Sequence, residues 1–378
     1  MMMTISYWNN PKSSELGECD ILIIGAGLAG LSTAYWLKEL NPDLKIKVVD
    51  RGYSGAGASG RNAGFLTKGS AVFYQSLMEH WGKERAHEIY QFAKESISET
   101  YQRFLKNLPH EKTSSMTLFS TSIEYSELEK FQFTWMDSVK LPNELRDRFV
   151  GGFESAGEYK INPMILLTKM KDHLLQKGVE FVDGISVFEV TSSGVKFDSG
   201  EVKAEKIVLA INAYFPQFHK TFKDKIIPRR AQMLAVELTQ SFNCNSLYYD
   251  PQERVYWRKE GGNILLIGGK RLLDVEGETG DFEKVTSQIQ AGLEEYLSLK
   301  LKLKYNIIKR WSGTMGFTAH ELPFIEKVES QSKTYMLGGF SGHGIGLGFL
   351  AGKEMAELVL EKKERSLFSK FKKEQFIL

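Results

Sequence analysis

The first strong pattern in the chain is an apolar run, Ile21 to Ile24, that passes through glycines into helical spacing. Leu28, Leu31, Ala34, Tyr35 and Leu37 share one face of that helix. A turn containing Pro42 and a second strand, Lys45 to Asp50, follow. Strand, helix and strand in so short a span imply a right-handed crossover and a parallel sheet. From about His80 to Leu105 the period changes: Ile89, Phe92, Ala93, Ile97, Tyr101 and Phe104 mark a long amphipathic helix, expected in a second domain. Another helix is opened by Asn162-Pro163 and closed by Gly178. Short strands come after it in "VEFVDG", "ISVFEVTSS", "GVKFDSG" and "KIVLAI".

Between about Pro228 and Ile308 the strands lengthen and turn aromatic: "AQMLAVEL", "RVYWRKEGG" and "NILLIGGKR". They predict an antiparallel sheet with a turn at Gly261-Gly262. Phe282, Val285, Ile289, Leu293 and Tyr296 place an amphipathic helix after it. The pattern closes on a strand, a Gly-rich turn and a helix in "YMLGGFSGHGIGLGFLAGKEMAELVL". The expected fold class is α/β, with one domain built from the discontinuous segments 1-80, 151-227 and 309-378. The segments 81-150 and 228-308 form an inserted α+β domain carrying the antiparallel sheet.

Composition changes this picture little. At 378 residues the chain exceeds what one core usually serves, in keeping with two domains. A net charge of +2 argues against a nucleic-acid binder, and the basic stretch "EKKERSLFSKFKKEQF" reads as a solvated helix end. Two cysteines make no disulfide framework, and seven histidines show no metal-ligand spacing, so no metal is expected. No apolar run reaches the length of a signal peptide or a membrane span, which predicts a soluble, cytoplasmic protein.

Gly25-Ala26-Gly27-Leu28-Ala29-Gly30 matches GxGxxG and sits between a strand and a helix, where its mechanism requires it. Gly25 permits the tight turn, Gly27 the approach of a pyrophosphate, and Gly30 close helix-strand packing. Free N–H groups and the positive end of the helix dipole face the phosphate charges. Asp50 ends the second strand, where its carboxylate accepts hydrogen bonds from a ribose diol and repels a ribose 2′-phosphate. An adenine dinucleotide follows, and the motif leaves FAD and NAD open. The glycine-rich stretch "GAGASGRNAG" after this strand lets backbone approach a ligand closely.

Three further stretches carry a resemblance: "GASGRNAGF", "RWSGTMGFTAHELPFIE" and "GGFSGHGIGLGFLAG". With "VVDRG" and "LAINAY" they resemble the FAD-dependent D-amino acid oxidase superfamily, within it the glycine oxidase, sarcosine oxidase and γ-glutamylputrescine oxidase group. The resemblance spans nearly the full length and implies a Rossmann-type FAD-binding domain. It implies cofactor contacts from Gly25, Gly27, Leu28, Ala29 and Gly30, and from Asp50 and Arg51. The loop Ser59, Gly60, Arg61, Asn62, Ala63 and Gly64 would lie along the flavin, with Arg61 as a charge-assisted partner of the diphosphate. Val187 matches the position whose backbone holds the adenine. Ala210, Gly313, Gly339, Gly342, His343, Gly344 and Ile345 complete the implied set. At the last turn, backbone N–H groups would face the ring edge that becomes anionic on reduction. His343 either faces the substrate or braces the turn. Relatives that tether flavin use a Cys in the last third or a His in the early flavin loop. Here no Cys follows Cys244 and the first His is His80, so non-covalent FAD is expected.

The activity implied is oxidation of the C–N bond of an amine or amino acid, by hydride transfer to flavin N5 and hydrolysis of the imine. A neutral amine in an apolar pocket needs no strong side-chain base. Tyr256, Trp257 and Arg258 fall on the strand that roofs the substrate in this group, with Tyr256 and Arg258 on one face. Aligned on its Trp, Gly, Thr and Pro, "RWSGTMGFTAHELPFIE" puts Met315 where amino-acid-oxidising relatives carry a carboxylate-binding Arg. That favours an apolar or extended amine over a small α-amino acid, unless Arg310, Arg258 or Lys270 substitutes. Leu266 stands where sarcosine-oxidase-like relatives place an oxygen-activating Lys. The electron acceptor is therefore molecular oxygen or another acceptor, the second reading being a dehydrogenase for a D-amino or N-methyl amino acid that passes electrons to a quinone or carrier. A third reading is an FAD-binding subunit with a structural flavin. The sequence leaves the oligomeric state open.

Overall fold

The computed structural model describes residues 17–71, 74–122, 137–138, 140–191, 193–197, 200–218, 225–328 and 333–371. The first sheet runs in the order Phe324–Lys327, Thr334–Gly338, Gly200–Leu209, Glu18–Ile24, Ile46–Asp50, Glu180–Asp183. Along this path all neighbours are parallel except the edge pair Phe324–Lys327 and Thr334–Gly338, and Gly194–Phe197 adds antiparallel to Gly200–Leu209 and to Val187–Val190. Side chains alternate across it: Ile21, Ile23, Ile46 and Val48 enter one apolar cluster, Leu22, Ile24, Val49 and Leu209 another. Burial on both faces explains why these strands read as continuous apolar runs.

Two helices that each follow a parallel strand, Leu28–Leu40 and Gly344–Val359, pack side by side. A Cβ on Gly352 would come within 2.5 Å of Ser32 Cβ, so glycine sets how closely they approach. Both N-termini consequently emerge beside each other at the same end of the sheet.

The helix expected over 80–105 is divided at Gly82, whose φ is 85°, into Tyr74–Trp81 and Lys83–Arg103. Its buried face joins the core of the first domain. Ile89, Ala93 and Ile97 lie in the same core cluster as Leu31 and Phe349, and Ser96 Oγ accepts from Leu350 N–H at 3.3 Å. An amphipathic stripe specifies that a face is buried; it carries no information about which surface buries it. The Asn162-Pro163 start holds: Asn162 Oδ1 accepts from the N–H groups of Met164 at 3.0 Å and Ile165 at 3.4 Å, opening Pro163–Gln176.

The second sheet runs Tyr305–Phe317, Ile227–Leu238, Ile264–Gly269, Val255–Glu260, Leu247–Asp250, His110–Phe119, Gly151–Ile161, Phe65–Leu66. It is antiparallel except where Leu247–Asp250 meets His110–Phe119. Gly151–Ile161 and the larger part of Tyr305–Phe317, from Lys309 on, fall within segments expected in the first domain, yet pair here. Their partners are set by long-range register, which strand patterning does not reveal. One face of the sheet carries Leu234, Val236, Tyr248, Trp257, Leu265 and Ile267 into a core shared with Leu293. The covering helix is Ser287–Glu295, not a stripe beginning at Phe282, which is 47% exposed with Val285 also exposed. Among the described residues no helix is long and apolar enough to cross a membrane.

Candidate active site

The glycine motif forms the turn between Glu18–Ile24 and Leu28–Leu40. Gly25 has φ 107°, and a Cβ there would lie 2.5 Å from the carbonyl oxygen of Ala210. A Cβ on Gly30 would lie 1.9 Å from the carbonyl oxygen of Gly25, which no side chain survives. Leu28 and Ala29 are the first helical residues, both buried. Asp50 Oδ2 accepts from Ala26 N–H and Oδ1 from Gly52 N–H, each at 2.8 Å. Burial raises its pKa above the ordinary carboxylate value, and the two N–H bonds oppose that rise. Gly184 and Ile185 hydrogen-bond the backbone of Gly52 and Asp50, which brings Val187 to the same end of the sheet.

The loop after Asp50 is braced at almost every residue. Ser59 Oγ accepts from Leu28 N–H at 2.9 Å, so a hydroxyl already stands at the helix N-terminus. Gly60 packs against Gly55. Asn62 donates to the carbonyls of Ala58 and Ser59, and its Oδ1 accepts from Gly64 N–H at 2.8 Å. Arg61, expected at the diphosphate, is engaged otherwise: it pairs with Glu283 at 2.8 Å and donates to the carbonyls of Ala56 and Ser312. Gly313 lies directly against the Arg61 side chain, and Trp311 Nε1 donates to Arg61 O at 2.8 Å. Arg51 stacks on Tyr214, 3.8 Å from the ring centroid.

Opposite this loop stands the second sheet's other face. Antiparallel register aligns Tyr249 with Tyr256, Tyr256 with Gly268, Gly268 with Met233, and Met233 with Trp311. Tyr256 is half-buried, its ring 6.0 Å from that of Phe65, and burial pushes its phenol up to about 12. Arg258 shares the face, and its guanidinium is engaged within the protein. Its Nε donates to Ala63 O at 2.6 Å, Nη2 to Ile161 O at 3.1 Å, and it pairs with Glu260. Met315 lies on the same face, in register with Arg229. Of the proposed substitutes for a clamp, Arg310 is held by Gln290 and Glu294 and Lys270 by Glu253, as Arg258 is by its carbonyls.

The last Gly-rich turn closes the site. Gly339 N–H donates to Asn212 Oδ1, and a Cβ on Gly342 would sit 3.6 Å from Met315 Sδ. His343 is the N-cap of Gly344–Val359, with Gly344 and Ile345 its half-buried first residues. Burial lowers the His343 pKa to about 4, and Nδ1 is buried with no hydrogen-bond partner. Three arginines absent from the sequence expectation face this region: Arg229, Arg254 and Arg271, with Glu321 among them. In the sequence, "PRRA" and "GGKR" were the available signals, and neither distinguishes a site arginine from a surface one.

FAD fits these residues. The Gly25–Gly30 turn is a cradle any Cβ would fill, two helix N-termini converge on it, and the buried Ser54 Oγ and His343 Nδ1 lack partners. A family model described as FAD dependent oxidoreductase matches residues 20–358. The probable oxidoreductase OrdL of Haemophilus influenzae is 25% identical, over 96% of this chain and 88% of that one. Gamma-glutamylputrescine oxidoreductase of Escherichia coli is 24% identical, over 93% and 86%. Glycine oxidase from Geobacillus kaustophilus shares the fold with a TM-score of 0.74 at 18% identity, over 92% of this chain and 96% of that chain. Because the family model spans nearly the whole chain and the cradle it requires is built, this chain belongs to the FAD dependent oxidoreductase family and is a flavin-dependent enzyme.

Proposed function

We propose that the enzyme oxidises the C–N bond of an amine or amino acid and holds FAD without a covalent tether. What carries the reading is the half-buried face made by Tyr256, Met315 and His343, which offers aromatic and thioether surface and groups that stay neutral. Burial holds the His343 pKa down to about 4 and the Tyr256 phenol up to about 12, so neither carries charge near neutral pH. A side-chain base is not needed if the amine arrives unprotonated, which this desolvated surface favours. When bound, FAD supplies a two-electron, hydride-accepting ring. The chain's residues would position the substrate carbon and exclude water, and the N–H groups of Gly344 and Ile345 would be among those that hold the cofactor. Relatives named gamma-glutamylputrescine oxidoreductase and sarcosine oxidase subunit beta support the amine class. Met315 in place of a carboxylate-binding Arg makes glycine, sarcosine and D-alanine poor substrates.

A second reading concerns the acceptor. Leu266, in register with Arg258, puts no ammonium group on this face at its position, which favours a quinone or carrier protein over oxygen. Mixing the enzyme anaerobically with an amine and amino-acid panel tests the reaction: bleaching by amines is expected, and no bleaching by any member would reject it. Peroxide formed in air would identify an oxidase. Acid should release FAD intact, whereas flavin retained on the denatured chain would refute non-covalent binding.

A further inference from the structure

Arg229 and Arg230 are sequence neighbours on the strand Ile227–Leu238 and so point to opposite faces. Arg230 has a carboxylate: Glu278 lies 2.5 Å from its Nη2, and both side chains are buried. Arg229 has none. Its guanidinium lies 5.4 Å from the centroid of Phe317, and that of Arg271 lies 4.6 Å from the same ring. Nε of Arg229 and Nε of Arg271 are both buried without a hydrogen-bond partner. Arg254 joins them through the backbone, since Lys270 N–H donates to Arg254 O and Gly269, φ 128°, lets the two segments touch. Glu321 faces all three arginines and forms no ion pair with any of them among the described residues. Arg254, Lys270 and Glu321 all hold left-handed φ, a conformation that persists where the surroundings enforce it. Burial, and after it the neighbouring guanidinium groups, hold Arg271 below its ordinary pKa.

The half-buried Arg229 and Arg271 and the exposed Arg254 form no ion pair among the described residues, and Glu321 is a carboxylate on which all three charges act. The cluster adjoins the reaction face: Arg271 also faces Tyr256 and His343, and Arg229 is in register with Met315. The diphosphate of FAD does not account for it, because that group belongs at the Gly25–Gly30 turn. We propose that Arg229, Arg254 and Arg271 bind a dianionic group of the substrate, a pair of carboxylates or a phosphate monoester, remote from the C–N bond. The inference deepens the amine-oxidising reading and names the class of amine.

The test is binding to the FAD-loaded enzyme, read from the flavin absorbance spectrum with no turnover. Succinate, glutarate, inorganic phosphate, succinamate and succinamide are titrated in turn. A dianion should bind at least about tenfold tighter than singly charged succinamate, and succinamide should leave the spectrum unchanged. Succinate and glutarate against phosphate separates paired carboxylates from a phosphate group. Arg271→Gln and Arg229→Gln should each weaken the dianion roughly tenfold or more, whereas Glu321→Gln, which removes the one opposing charge, should tighten it. Dianions no tighter than succinamate, or a Glu321→Gln enzyme with unchanged affinity, would overturn the proposal even if the arginine variants fail to fold. Absence of amine oxidation would instead reject the reaction, leaving the anion site decided by these titrations.

Discussion

The Arg258 Nε–H donates to the carbonyl oxygen of Ala63 across 2.6 Å, tying the aromatic strand of the second sheet to the glycine-rich loop of the first domain. Through Nη2 the same guanidinium also holds Ile161. The loop that would lie along the cofactor is thus anchored from the substrate side.

Arg258→Met should therefore act on the cofactor more than on the substrate. It leaves two carbonyls without their donor inside the protein, at about 1–3 kcal/mol each. FAD affinity should fall roughly tenfold or more, measured by fluorescence of released flavin, while the substrate KM of the flavin-saturated enzyme changes little. A raised KM with unaltered FAD affinity would return Arg258 to the substrate site.

Asp50→Ala removes a carboxylate that accepts from Ala26 and Gly52 and that, on the proposed FAD-bound reading, would also accept from the ribose. Charge-assisted hydrogen bonds of this kind contribute about 1.5–3 kcal/mol, so the FAD dissociation constant should rise roughly 10- to 150-fold. Because both N–H groups belong to the cradle, the apoprotein should also melt lower, and Asp50→Asn should be milder in both measurements. Equal FAD affinity in Asp50→Ala would show that the carboxylate serves only the turn.

Gly30→Ala brings a methyl group to within 1.9 Å of Gly25 O. Backbone cannot yield by that much without opening the turn. The variant should purify without yellow colour, and a fully flavin-loaded variant would show that the turn has an alternative geometry.

Glu158 is buried and accepts from Ser155 Oγ and Lys68 N–H. Burial raises its carboxyl to about 7 from 4.5, with Lys68 opposing. A folded-state pKa above the unfolded value means the protonated form favours folding. Its contribution is full below pH 4.5 and is lost as pH rises through about 7, on the order of 3 kcal/mol. Glu158→Gln should raise the melting temperature at pH 8 relative to wild type and not at pH 4.5. An equal effect at both values would place the Glu158 pKa near normal.

What the sequence determined is what acts through neighbouring backbone. The Ile21–Ile24 strand, the Gly25–Gly30 turn, Asp50 at a strand end and the Asn162 cap each depend on residues within a turn or one βαβ unit, so local pattern specifies them. Tertiary structure decided the rest, because a charged side chain's role depends on which strand arrives beside it. Arg258 meets Ala63 across 195 positions of chain, and Arg61 meets Glu283 from another segment. Arg229 and Arg230 are identical in the sequence. The register of Ile227–Leu238 turns one toward Glu278 and the other toward the reaction face, and packing gives the first a carboxylate and the second, among the described residues, none.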